Sequence, residues 1–216
     1  MIRVLHFADV INRYDFIDNV VRFCNSERFY MQGYLMNNLP KIKMVFRLAK
    51  YLRRERIDIL HTHHFEPTMI GLIAARIAGT KHVVIGQHYS TELYHIKNPI
   101  KRFACFQIEK LLHRYSSAII VPSKMNYERL EKQNAPMEKV HNIHYGFDFS
   151  RFEAVPESKT LKLRKKFSEE RFIICTIARL VPLKGHHYLF QAIKELIPNH
   201  PELYCFVIGD GPHRVH

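Results

Sequence analysis

The chain has 216 residues, 47% of them hydrophobic and 25% charged, the balance of a soluble globular protein large enough for one domain or one domain and a piece. Its 33 Lys and Arg against 20 Asp and Glu leave a net charge of +13, to which 15 histidines add in acid, so anionic partners are favoured. No uncharged apolar run is long enough to span a membrane, and no basic stretch is interleaved with aromatics as in nucleic-acid binders, so nucleic acid is not expected as a partner. The N-terminus MIRVLHFADV enters a strand at once and carries Asp9, unlike a signal peptide, and this predicts a cytoplasmic protein.

The predicted elements alternate. Arg3 to Phe7 reads as a strand, Phe16 to Cys24 as a helix, and Tyr30 to Leu35 as a less patterned strand. Lys41 to Arg56 is amphipathic, with Ile42, Val45, Phe46, Ala49 and Leu52 expected on its buried face and Arg47, Lys50, Arg53 and Arg54 around the rest. A strand from Ile57 to Leu60 enters His61-Thr62-His63-His64. A helix from Pro67 to Ala78 follows, with Pro67 suited to its first turn and Gly79 to its end. The strand Lys81 to Ile85 leads to Gly86-Gln87-His88, and a long helix spans Pro99 to Tyr115. The strand Ala118 to Val121 ends in Pro122-Ser123, a helix runs to about Gln133, and the strand Val140 to Ile143 leads to Tyr145-Gly146-Phe147-Asp148.

This βα alternation predicts an α/β fold, a Rossmann-like doubly wound parallel sheet, over residues 1–168 including a linker. The distinctive residues His61, His63, His88, Ser123 and Gly146 all fall just after strands, where such a sheet gathers its site. Residues 150–170 are loosely patterned, with a short basic helix from Lys159 to Phe167. A second unit, residues 169–216, reads as strand (Phe172 to Ile177), basic loop, helix (His186 to Ile197) and strand (Leu203 to Ile208): an incomplete second Rossmann-like domain. Arg179 and Lys184 lie in its basic loop, beside a helix N-terminus suited to anions. The four cysteines form no CxxC pair. Cys175 and Cys205 fall in predicted buried strands and read as small core residues.

The wording Ala-Arg-Leu-Val-Pro-Leu-Lys-Gly, followed by Val-Ile-Gly-Asp-Gly-Pro, resembles the opening of the nucleotide-binding half of GT-B glycosyltransferases of the group 1, family 4 type. The first half is similar too, at Ile59 to His63, Val84 to His88, Ile120 to Ser123 and Tyr145 to Asp148. The resemblance implies sugar transfer, with retention at the anomeric carbon, from a nucleotide-sugar to a glycan or lipid-linked acceptor. Arg179 and Lys184 would hold the donor diphosphate, His88 would lie near the sugar, and His61, His63, Ser123 and Gly146 would line the cleft. It implies neither metal nor other cofactor. Departures are a glycine-free Asp9 to Arg13 loop and Tyr145 where the family has Asn. The family's later Glu-x7-Glu element is absent from the sequence, so the chain is expected to be an incomplete and inactive fragment truncated in its donor domain.

Two other readings remain at this point. One is a non-catalytic module of the same descent that binds anions or anionic membrane, through Lys41 to Arg56 with Lys97, Lys101, Arg102 and Lys110, placing the protein peripherally at the inner membrane face. The other is a metal-dependent hydrolase using His61 and His63, which share one face of a strand.

Overall fold

The structure, a computed structural model, describes residues 1–9, 16–25, 29–35, 40–88, 93, 96–153, 155–165 and 171–215. The chain divides into two compact units, Met1–Asp148 and Phe149–His216. Residues 149–168, assigned above to the first domain as a linker, fall in the second unit.

The first unit is a parallel six-stranded sheet. Its strands are β1 (Ile2–Ala8), β2 (Phe29–Leu35), β3 (Ile59–His63), β4 (His82–Gly86), β5 (Ala118–Val121) and β6 (Val140–Asn142), in the order β2-β1-β3-β4-β5-β6. Its helices are α1 (Phe16–Phe23), α2 (Lys41–Arg54), α3 (Phe65–Ala78), α4 (Pro99–Tyr115) and α5 (Lys124–Lys132). The chain moves from β1 outward to β2, then back to β3 on β1's other side. That reversal puts a topological switch point between β1 and β3, where ligands of open α/β sheets bind beyond the strands' carboxyl ends.

Local chemistry explains the helix limits. Asn98 accepts a hydrogen bond from the Lys101 amide at the start of α4, and Ser123 accepts one from Asn126 at the start of α5. Gly79 ends α3 in the left-handed conformation that glycine enters without a Cβ clash. Within α3, a Cβ on Gly71 would stand 2.5 Å from the Thr62 methyl, so glycine lets this helix lie close on β3.

The core lies on one face of the sheet. Leu5, Phe7, Leu60 and Val83 pack with Met44, Val45, Leu48, Ala49 and Leu52 of α2 and with Ile70, Ala74 and Ala75 of α3. Ile85, Ile119, Val121 and Val140 continue that layer with Leu112 and Leu130. The face of α2 differs from expectation. Ile42 and Phe46 are 72% and 60% exposed, and Met44 and Leu48 take their places. Both stripes have helical spacing, and only the position of α3 decides which one is covered.

The second unit contains α6 (Ser150–Glu153), α7 (Glu157–Arg164), β7 (Phe172–Ile177), α8 (His186–Leu196) and β8 (Leu203–Ile208). β7 and β8 pair in parallel from Phe172–Leu203 to Ile177–Ile208. Neither strand nor α8 contains a buried residue. Cys175 is therefore exposed and Cys205 half-buried, contrary to the core role expected of them, because no layer among the described residues covers these strands. No helix among the described residues is long and apolar enough to cross a membrane.

Candidate functional site

In β1 and β3, side chains alternate between sheet faces. Leu5, Phe7 and Leu60 go to the apolar core, which leaves His6, His61 and His63 on the opposite face. His6 and His61 are register partners across the two strands, and their rings lie 4.8 Å apart. His63, the last residue of β3, is opposite Gly86 on β4. That glycine has a steric purpose. A Cβ there would come within 2.6 Å of His88 Nε2 and 2.7 Å of His63 Nδ1, so its absence makes room for those rings to meet.

The rings form a connected array. His6 Nδ1 is 3.0 Å from His63 Nε2, His63 Nδ1 is 2.7 Å from His88 Nε2, and His88 Nδ1 is 2.7 Å from the Tyr145 hydroxyl. His6 and His63 stack, as do His63 and His88. His61 packs against His63 with ring centroids 4.3 Å apart. His64 leaves the strand with φ of +70°, an unfavourable value for a side-chain-bearing residue, and turns its ring edge-on to His88. Its Nε2 lies 3.7 Å from Asp9 Oδ1.

Burial controls the charge of this array. Desolvation holds His6 at a pKa of about 4 and His88 at about 3, the latter helped by His64 and His6. His61 is pushed well below the usual value by burial and then by His6 and His88, and His63 by burial and then by His61, His6, His88 and His64. The rings are thus neutral near pH 7, each offering one donor and one acceptor.

Behind His88 a small cavity of about 20 Å³, room for about one water, is lined by His64, Phe65, Gln87, His88, Leu93, Glu109 and Arg129. Gln87 Nε2 donates to Glu109 Oε1 at 2.8 Å. Burial raises the Glu109 carboxyl above its ordinary pKa, against the opposing effects of that hydrogen bond and of Arg129.

Of the residues expected from sequence, His61, His63 and His88 come together. Ser123 instead caps α5 through its hydroxyl. Gly146 is exposed with open space around it, and its neighbour Tyr145 reaches His88. Sequence reasoning missed His6, Gln87, Glu109 and Arg129. For His6 a signal was available: a histidine alternating with apolar residues lies on the face opposite the core.

His6, His61 and His63 could each bring a ring nitrogen within 4.8 Å of the others, a spacing from which a metal cluster could contract. However, His63 already uses Nε2 toward His6 and Nδ1 toward His88. A metal would have to break a buried hydrogen bond to gain that ligand, which weakens the hydrolase reading.

In the second unit, Arg179 follows β7, and Pro182–Lys184 form a 3-10 turn ending at Gly185, whose φ is +67°. Gly185 is also the N-cap of α8 and makes no side-chain cap. The His186 ring binds the Arg179 carbonyl at 3.1 Å, tying the loop to the helix start, while the Arg179 and Lys184 side chains are exposed. A Cβ on Gly209 or Gly211 would collide with the carbonyl oxygen of Ala178 or Leu180, so the Gly-Asp-Gly segment is held against this loop by close backbone approach.

The model of Glycosyltransferase Family 4 matches residues 16–151, more than half of the chain. The chain belongs to this family. The model of Glycosyl transferases group 1 matches residues 158–215, which contain Arg179 and Lys184. Among curated relatives, the Escherichia coli UDP-Gal:alpha-D-GlcNAc-diphosphoundecaprenol alpha-1,3-galactosyltransferase is 28% identical over 213 residues, covering 91% of this chain and 51% of its own length. The alpha-D-kanosaminyltransferase of Streptomyces kanamyceticus is 27% identical, covering 79% of this chain and 46% of its own. The chain thus spans about half the length of these curated relatives. Among solved structures, Anabaena HepE in complex with UDP has a TM-score of 0.75 at 18% identity, over 97% of this chain and 61% of its own. That likeness shows a shared α/β fold.

Proposed function

We propose that this family 4 protein takes part in transferring a sugar from a nucleotide-sugar to a glycan or lipid-linked acceptor, with retention at the anomeric carbon. The observation that carries this reading is the pair Arg179 and Lys184 around the start of α8, within the segment matching the group 1 model. Transfer leaves negative charge on the departing diphosphate. Two cations and a helix N-terminus would stabilise that charge without a metal or other cofactor. Relatives of the chain point the same way: the E. coli protein is named for a UDP-sugar donor and a diphosphoundecaprenol acceptor.

His88 fits a positioning role better than that of a base. Burial lowers its pKa to about 3, which makes it a weak proton acceptor near pH 7. His61 and His63 support it from the sheet, and Ser123 and Gly146 shape the loops beside it by a helix cap and an unobstructed turn.

The acceptor side is proposed to work at the cytoplasmic face of an anionic membrane, peripherally. Ile42 and Phe46 stand exposed one turn apart on α2, among exposed Lys43, Arg47 and Lys50. Apolar anchors among cations suit an anionic lipid surface. A non-catalytic binding module would use the same face but would show no transfer.

The test is transfer of labelled sugar from UDP- and GDP-hexoses to a membrane lipid extract by a form of the protein with a complete donor domain. Arg179→Ala and Lys184→Ala should each lower the rate about 100-fold. Undiminished transfer in both variants would overturn the proposal.

A further inference from the structure

Gln87 stands between the end of β4 and His88, and it is held at two points. Its backbone N–H donates to the Ile120 carbonyl of β5 at 2.8 Å, and its side-chain Nε2 donates to Glu109 Oε1 on α4, also at 2.8 Å. Glu109 shares the buried face of α4 with Leu112 and His113 and is only 6% exposed. A glutamate is almost never buried so completely unless it is paired. Stability alone does not account for this pair, because two apolar side chains of the same shape would serve a core about as well. What a buried hydrogen bond adds over an apolar contact is a fixed geometry for the groups it joins.

Two cavities meet at Glu109. One is the space of about 20 Å³ behind His88. The other, about 230 Å³, has room for several waters and is bounded by α4 from Phe106 to His113 and by the residues from Lys132 to Asn134. Exposed Gln107, Lys110 and Lys132 are among its lining. Glu109 lines both cavities, so its side chain is part of the wall between them. Cutting it back to a methyl group would release Gln87 and join the space behind His88 to the larger cavity.

We infer that Glu109 is a positioning residue for His88: through Gln87 it fixes the end of β4 from which His88 projects, and by its bulk it closes the back of the His88 ring to water from the side of α4 and α5. The sugar beside His88 rests on the transferase reading; the link from Glu109 to His88 does not.

The test joins 15N spectra of the labelled chain, which need no ligand, with the labelled-sugar assay. In Glu109→Ala, the Gln87 side-chain amide and the His88 ring signals should both move while the amides of α2 stay native-like. Glu109→Gln keeps the volume and an acceptor and should leave both signals in place. An unmoved His88 ring in Glu109→Ala would overturn the inference. So would a Glu109→Gln variant that moves the ring as far as alanine does, since charge rather than position would then be at work. Should the alanine variant fail to fold, Glu109→Leu fills the same space without an acceptor, and an unmoved His88 ring there would be equally fatal.

In the transfer assay, with a complete donor domain, Glu109→Ala should lower kcat about 10-fold at unchanged KM for the donor, the worth of one hydrogen bond. Glu109→Gln should keep kcat within about twofold of wild type. A wild-type kcat in Glu109→Ala, or a loss confined to KM, would overturn the positioning role. Absence of transfer by the wild-type protein would refute the transferase reading alone, and the ring spectra would still decide the link to His88.

Discussion

The first unit's inner strands β1, β3, β4 and β5 each lie between two neighbours, and one face of the sheet is covered by helices that bury Leu5, Phe7, Leu60 and Ile85. The second unit has a β-α-β order of the same type, yet Phe172, Ile173, Ile177, Tyr188, Phe190 and Ile208 are all exposed among its described residues. Strand pairing is equally regular in both. What differs is coverage, and the hydrophobic contribution follows area removed from water rather than the presence of apolar residues. The two units should therefore respond very differently to the same perturbation.

The largest expected difference comes from acid. The folded-state pKa of His6 and of His113 is held at about 4 by burial, against 6.5 for an ordinary histidine. Below pH 6.5 the unfolded chain takes up protons that the folded unit refuses. Stability is therefore whole above pH 6.5, falls as pH drops through about 4, and changes little below that. By pH 4.5 these two residues alone should remove on the order of 5 kcal/mol. Urea melts of the first unit from pH 7 to pH 4.5 would check this, and a flat profile would mean the rings are hydrated.

Core truncation comes next. Phe7→Ala should cost about 3–5 kcal/mol in the same melts, since Phe7 is fully buried beneath α2 and α3. Ile177→Ala in β7, 77% exposed, should cost less than about 0.5 kcal/mol. Similar losses at the two sites would erase the distinction between the units.

Gly86→Ala sharpens the comparison within the first unit. It should separate His63 from His88 and cost roughly 1–3 kcal/mol, the penalty for leaving a buried polar group unpaired. Chemical denaturation gives the cost, and ring 15N shifts show whether the contact is lost. The smallest effect on stability should be that of Ile42→Ser with Phe46→Ser, within about 0.5 kcal/mol, because both residues face solvent. Vesicle co-sedimentation should nevertheless fall clearly for this pair on anionic lipid, and unchanged sedimentation would remove α2 from the membrane proposal.

Much of the fold was legible. Each strand of the first unit except β3 lies within a residue of its predicted span, because short β-branched runs bounded by turn residues report local conformation directly, while β3 starts two residues later than expected and runs on through His61 to His63. The helix end at Gly79 was legible for the same reason, since a glycine C-cap is chemistry within a few residues, whereas Ser123, read as a cleft residue, proved to cap α5. The site was readable only in part. His61 and His63 announce themselves by spacing, whereas His6 lies 55 residues away in an apolar strand and joins them only through the β1–β3 register.

The sequence by itself determined the alternation of strands and helices, the loop carrying Arg179 and Lys184, and the strand-end histidines, all encoded in short stretches of residue type and spacing. Only the tertiary structure decided which stripe of α2 is buried, that Cys175 is exposed, and that four side chains from β1, β3 and the segments after β4 and β6 join in one hydrogen-bonded row. These outcomes depend on register, on neighbouring layers and on a missing Cβ at Gly86, none of which is a property of any one segment.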